Sequence, residues 1–288
     1  MQKELDILVT LDENYMAQLR VLLTSIYLNH PGLSCRIFLL HRHLPGHVLR
    51  NLQDTLAHIG YSLYPVEVDG SLFEKAPVTK QYPQEMYYRL LAARFLPDDL
   101  DRILYLDPDI LVIHSLLPLW ETDLDGYLFA AAAHTGKTEL ANSVNRIRLG
   151  TDQDYFNSGV LLINLEACRR EIHPEEIFSF VSAHEAELLL PDQDILNALY
   201  YDRILPLDDA LWNYDARNYS NYLVRSLGEA DMDWVMHHTS ILHFCGRDKP
   251  WKKGYRRRFG ILYRHYMHLA DLYLPSQVTA PPGSGKCC

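Results

Sequence analysis

Asp107 and Asp109 stand two residues apart in ILYLDPDILV (residues 103–112), a run that is otherwise apolar. Side chains along a strand alternate faces with period two, so both carboxylates are aimed at one spot. Two carboxylates brought together out of water are costly unless they share a proton or meet a cation, and a divalent metal is the usual remedy. Pro108 has no N–H and a fixed φ, so the ladder must break there and the pair belongs at a strand end. Asp-Pro-Asp is also good turn chemistry, and on these residues alone a plain turn between two strands fits as well as a metal site.

A third candidate ligand is His243, late in the short apolar run of SILHFCGRDKPW (residues 240–251) and followed by Gly246, Lys249 and Trp251. A histidine in a strand is either a satisfied structural residue or a ligand. The glycine would let backbone approach a bound group, and the lysine suits phosphate. Two carboxylates with one imidazole suit Mn²⁺ better than an all-oxygen site built for Mg²⁺, which remains the alternative ion. In LLLPDQDILNALYYD (residues 188–202), Pro191, Asp192 and Gln193 open a helix whose Ile195, Leu196 and Leu199 face the core. Acidic residues in a first turn complement the helix dipole. The other reading has Asp192 and Gln193 reaching a ligand rich in hydroxyls, such as a sugar.

These groups need a scaffold, and the chain is long enough to supply one. Its 288 residues are 48% hydrophobic, which suffices for one large domain with its own core. The formal net charge of −10 argues against a nucleic-acid partner held by overall charge. No apolar run is long enough to span a bilayer, and MQKELDILVTL is too short and acidic for a signal peptide, so a cytoplasmic protein is expected. Cys35, Cys168, Cys245, Cys287 and Cys288 show neither zinc spacing nor a secreted framework and are expected to be reduced thiols. The last two end a tail rich in Pro, Gly and Ser, expected to be disordered, although a terminal Cys-Cys also matches a lipid attachment point.

Short apolar runs alternate with amphipathic stretches. Strands are expected at residues 5–11, 35–41, 61–68, 103–107, 127–133 and 159–165, and helices at 15–30, 45–59 and 86–96. The alternation indicates an α/β domain with a mostly parallel sheet. In such sheets ligands bind beyond the carboxyl ends of the strands. There lie Asp12, Glu13, Asn14 and Tyr15 after the first strand, the two aspartates after the fourth, and Asn157, Ser158 and Gly159 beside a later one. The sequence contains no G-x-G-x-x-G and no Walker loop, so a metal must take over the work of holding phosphates.

Taken in chain order, ILVTLDENY, YYRL, LYLDPDILV, LLPLWETDL, YFNSGVLLINL, PDQDILNAL and HFCGRDKPW resemble the family 8 retaining glycosyltransferases, the group containing glycogenin and the bacterial lipopolysaccharide α-galactosyltransferases and glucosyltransferases. The matches run from Ile7 to Trp251 and cover most of the chain. The resemblance implies a GT-A fold, a Rossmann-like mixed sheet flanked by helices, and a uridine diphosphate hexose as donor. It implies that Thr10 belongs to the nucleotide-sugar site, that Asp12 binds the uracil, that Tyr15 stacks on it, and that Asn14 contacts ribose or diphosphate. Arg89 would lie over the donor sugar and phosphates. Asp107, Asp109 and His243 would hold Mn²⁺ against the diphosphate, with Gly246 and Lys249 completing the grip. Asn157, Ser158, Asp192 and Gln193 would surround the hexose. Where relatives often carry an aspartate after the strand at YLFAAAA, this chain has His134.

The implied reaction moves the hexose to a glycan or lipid-linked acceptor with its configuration retained. A double displacement needs a carboxylate beneath the anomeric carbon. The family places Gln193 there, a poor nucleophile, so attack on the face of the departing phosphate is preferred and Asp192 is the backup nucleophile. The boundaries read as a catalytic domain over 1–248, a basic aromatic helical segment over 249–275 and a tail over 276–288. The basic segment suits either an anionic membrane surface, where lipid-linked acceptors would be found, or packing of its aromatics on the domain. Two rival readings are a sugar-nucleotide pyrophosphorylase, which would want a glycine-rich basic loop after the first strand, and a catalytically silent nucleotide-sugar binder.

Overall fold

The computed structural model describes residues 4–74, 76–77, 84–133 and 154–275. Ten strands are described: β1 (Glu4–Thr10), β2 (Ser34–His41), β3 (Tyr61–Glu67), β4 (Arg102–Leu106), β5 (Ile110–Val112), β6 (Phe129–Ala132), β7 (Val160–Asn164), β8 (Ile204–Leu207), β9 (Tyr214–Asp215) and β10 (Ile241–His243). Seven of them form one sheet in the order β3-β2-β1-β4-β7-β6-β8, and β5-β10-β9 form a second, smaller sheet. β1 pairs in parallel with β2 and β4, whereas β7 runs antiparallel to both β4 and β6, so the large sheet is mixed. The chain winds from β1 outward to β3 and then returns to the other side of β1 at β4. That reversal opens a crevice beyond the carboxyl ends of β1 and β4, where such sheets bind ligands.

Strand alternation divides the core. Leu5, Ile7 and Val9 of β1 pack with Leu19, Leu22, Leu23 and Ile26 of the helix Met16–Asn29 on one face. Leu8 points to the other face and joins Ile103, Tyr105, Leu161 and Ile195. A third cluster, with Leu111, Tyr214, Leu242, Phe244, Phe259 and Tyr263, lies between the small sheet and the C-terminal helix Gly260–Tyr273. Of the aromatics of the basic segment, Phe259 and Tyr263 are thus buried and Trp251, Tyr255 and Tyr266 pack against them, while Tyr273 stays exposed. The same helix is tied to Met16–Asn29 by Asn29 Nδ2 to the Tyr266 hydroxyl at 3.0 Å and by Arg20 Nη2 to the Ala270 carbonyl at 3.2 Å. Among the described residues no helix is long and apolar enough to cross a membrane.

The expected helix over 86–96 is not continuous. The structure has 3-10 turns at Gln84–Tyr87 and Ala92–Arg94 instead. Tyr87, Tyr88, Leu90, Leu91 and Ala92 are all buried while Arg94 is exposed, and tertiary packing of the buried residues overrides the segment's helical preference. His134 and the tail with Cys287 and Cys288 fall outside the described residues.

Candidate active site

The two aspartates lie at the break that Pro108 imposes between β4 and β5, and the turn and the paired carboxylates turn out to be one feature. The Asp107 N–H donates to the Gly159 carbonyl at 2.8 Å beside the large sheet, while the Asp109 carbonyl accepts from Phe244 N–H at 3.0 Å beside the small one. β10 runs antiparallel to β5, with His243 opposite Ile110, and this register delivers the imidazole to the pair. His243 Nε2 lies 3.2 Å from Asp109 Oδ1 and 3.7 Å from Asp107 Oδ2. One ligand atom from each residue falls within 4.8 Å of the others. Two carboxylates and an imidazole converging from buried or half-buried positions form a donor set that fits a first-row divalent ion.

Two cations of the chain hold these carboxylates. Arg89 Nη1 lies 3.1 Å from both Asp107 Oδ1 and Asp192 Oδ2 and donates to the Ser158 carbonyl at 3.1 Å. Its guanidinium sits 4.5 Å above the Tyr105 ring, and the Tyr105 hydroxyl donates to Asp107 Oδ1 at 2.5 Å. Lys249 Nζ pairs with Asp109 Oδ2 and donates to the Phe244 carbonyl at 3.0 Å. Burial opposes ionisation of Asp109, but His243 and Lys249 hold its carboxyl below the usual range. Burial likewise opposes the His243 charge, yet Cys245 and Asp109 hold its pKa well above the ordinary imidazole value.

Asp192 and Gln193 enter from the first turn of the helix Pro191–Tyr200. Ser158 Oγ donates to Asp192 Oδ2 at 2.9 Å, and Asn157 Nδ2 donates to Gln193 Oε1 at 3.0 Å. Asn157 Oδ1 in turn accepts from Gly159 N–H at 3.0 Å and from Asn213 Nδ2 at 2.9 Å. Asn213 Oδ1 meets His243 Nδ1 at 2.8 Å. A chain of side-chain amides thus runs from Gln193 to His243. Gly159 lies directly against the group. An added Cβ there would overlap His243 Cε1 and come within 2.6 Å of Asp107 Oδ2.

Thr10, Asp12, Tyr15, Glu85, Arg89, Asp107, Asp109 and Asp192 line one cleft of about 470 Å³ at the crevice between β1 and β4. Asp12 caps the turn that follows β1, accepting from Asn14 N–H at 2.9 Å and Asn14 Nδ2 at 3.2 Å. Tyr15 is 38% exposed at the rim, where a ring can receive a flat ligand, and meets Trp251 edge-on at 6.5 Å. Gly246 has φ +83° and lies against Arg217, itself held by two side-chain bonds to Asp215. Sequence reasoning missed Glu85, Tyr105, Arg217 and Asn213. Nothing in LWNYD marks Asn213; only its burial in the fold shows that its amide must find partners.

The family model for glycosyl transferase family 8 matches residues 6–254, and the chain belongs to that family. It is 28% identical to general stress protein A of Bacillus subtilis (strain 168), over 89% of this chain and 90% of that protein. It is 25% identical to the lipopolysaccharide 1,2-glucosyltransferase of Escherichia coli (strain K12), over 86% of this chain and 73% of that one. The crystal structure of the galactosyltransferase LgtC with donor and acceptor sugar analogues superposes with a TM-score of 0.75 at 26% identity, covering 96% of this chain and 98% of that one. The protein is a family 8 glycosyltransferase with a GT-A-like fold.

Proposed function

We propose that the protein transfers a hexose, galactose or glucose, from a uridine diphosphate sugar to a glycan or lipid-linked acceptor with retention of configuration. The observation that carries this reading is the meeting of Asp107, Asp109 and His243 beside a hydrogen-bonded set of Asn157, Ser158, Asp192 and Gln193. The first group suits a metal and the second suits sugar hydroxyls. Asp107, Asp109 and His243 would hold Mn²⁺, which when bound neutralises charge on the departing diphosphate.

In this reading Thr10, Asp12, Asn14 and Tyr15 receive the nucleoside, while Arg89, Lys249 and Gly246 grip the diphosphate. The bond between the anomeric carbon and the phosphate oxygen breaks, with its electron pair leaving on the diphosphate. The acceptor hydroxyl forms the new bond on the same face and gives its proton to the departing phosphate oxygen. Lys249 and Arg89 stabilise the charge developing there, and the amide oxygen of Gln193 supports the cation-like sugar. Gln193 cannot replace a carboxylate nucleophile, and Asp192, engaged by Arg89 and Ser158, is the backup. The segment over 249–275 presents Lys252, Lys253, Arg256, Arg257 and Arg258 outward, which supports contact with an anionic membrane surface carrying the acceptor.

The test is donor turnover with Mn²⁺ across a panel of nucleotide sugars, followed by NMR of the first product anomer. Turnover of a uridine diphosphate hexose with the α-glycoside appearing first is the expected result. No turnover of any donor, with binding intact, would favour the silent binder, and a β-anomer appearing first would overturn the retaining mechanism.

A further inference from the structure

We infer that Asn213 is a positioning residue that does two things at once: it sets the metal-facing tautomer of His243 and braces the Asn157 amide, which Gly159 orients and which meets Gln193. The inference rests on the metal-assisted transfer proposed above and assigns a role to a side chain outside that set. Its starting point is Gly159 N–H, a backbone group that can only donate. It donates to Asn157 Oδ1 and so fixes which end of the Asn157 amide is oxygen. Asn157 Nδ2 must then face Gln193, whose Oε1 accepts at 3.0 Å. Asn213 must present Nδ2 to the same Asn157 oxygen, at 2.9 Å, and its own oxygen is thereby turned to His243 Nδ1 at 2.8 Å. Nδ1 therefore carries a proton, and Nε2, the atom facing Asp107 and Asp109, is the one left to act as a ligand.

Asn213 is fully buried, as its role requires: no water competes for either end of its amide. It touches none of the reacting atoms in the proposed mechanism. It acts through His243 on one side and through Asn157 on the other, so the metal position and the sugar position share one hydrogen-bond polarity.

Two substitutions separate the two arms. Asn213→Leu removes the acceptor for His243 Nδ1, and the free Mn²⁺ signal in electron paramagnetic resonance should show metal affinity reduced about 10- to 100-fold. Asn213→Asp keeps that acceptor but cannot donate to Asn157. It should bind Mn²⁺ within about threefold of the unaltered protein while kcat falls about tenfold or more. A merely structural role would lower both quantities together. Asn157→Asp, which breaks the next link toward Gln193, repeats the second pattern and serves if either Asn213 variant fails a melting check. Unchanged Mn²⁺ affinity in Asn213→Leu, or full kcat in both aspartate variants, would overturn the inference alone. Absence of Mn²⁺ binding to the unaltered protein, with and without uridine diphosphate, would overturn the metal reading as well.

Discussion

Asn197 and Phe156 exchange two hydrogen bonds, with the Asn197 amide oxygen accepting from Phe156 N–H at 2.7 Å and its Nδ2 donating to the Phe156 carbonyl at 2.8 Å. A single buried side chain thus stands in for a neighbouring strand. It fastens the Phe156–Gly159 turn, which carries Asn157 and Ser158, to the helix that carries Asp192 and Gln193.

Replacing Asn197 by alanine leaves a buried N–H and a buried carbonyl of Phe156 without their partner. Each such group costs about 1–3 kcal/mol, so a loss of about 3 kcal/mol in unfolding free energy is expected. Urea titration followed by circular dichroism measures it. A loss below about 1 kcal/mol would mean that water replaces the amide and the fastening is unimportant.

Gly159→Ala is expected to block the metal position while leaving every polar residue in place. The new methyl would overlap the imidazole and crowd Asp107, and overpacking of this kind costs about 1–3 kcal/mol. Calorimetric titration with Mn²⁺ in the presence of uridine diphosphate should show metal binding weakened by at least about tenfold in a protein that still melts cooperatively. Normal metal affinity would show that the ion sits elsewhere.

The ammonium of Lys249 and the guanidinium of Arg89 already neutralise the carboxylates that a metal would use. Lys249→Met should therefore bind Mn²⁺ alone more tightly than the unaltered protein, by about tenfold, whereas binding of the free diphosphate should weaken. Lys252→Met removes the same charge from an exposed neighbour and should leave Mn²⁺ affinity unchanged. Equal effects from both would reduce the contact to general electrostatics.

Acid should destabilise the fold through His30 and His41. Both are buried, and burial pulls each pKa below the ordinary 6.5. His30 Nε2 accepts from Leu116 N–H at 2.7 Å and His41 Nδ1 accepts from Leu44 N–H at 3.2 Å, bonds that a protonated ring cannot make. Since the unfolded rings protonate first, stability is intact above about pH 6.5 and falls as the pH drops from there toward the folded pKa values. Melting temperature measured from pH 7.5 to 5 should decline, and His30→Gln should flatten the slope. An unchanged slope would remove His30 from the account.

Much of this was legible in the chain because strand alternation and Pro108 leave few options for Asp107 and Asp109. β1 and β3 lie within one residue of their expected limits for the same reason: their apolar runs are short and bounded by turn residues. Asn213 was not legible, since its partners Asn157 and His243 come from strands and turns far off in sequence and only folding brings them together. The antiparallel course of β7 was hidden because a buried strand reads the same in either direction. Residues 86–96 misled for a related reason: apart from Arg94 the segment is largely buried, and a mostly apolar run does not tell a helix from a succession of tight turns.

The Asp107–Asp109 turn has one foot in each sheet, through Gly159 on the large sheet's side and Phe244 on the small one's. An ion shared by Asp107, Asp109 and His243 would therefore be a rivet as well as a cofactor. Ligands that bind only the folded form stabilise it by mass action, and here the benefit would fall on the seam. Chelation should speed amide hydrogen exchange in β9 and β10 while that of β1 and β2, anchored by their own ladder, stays as it was.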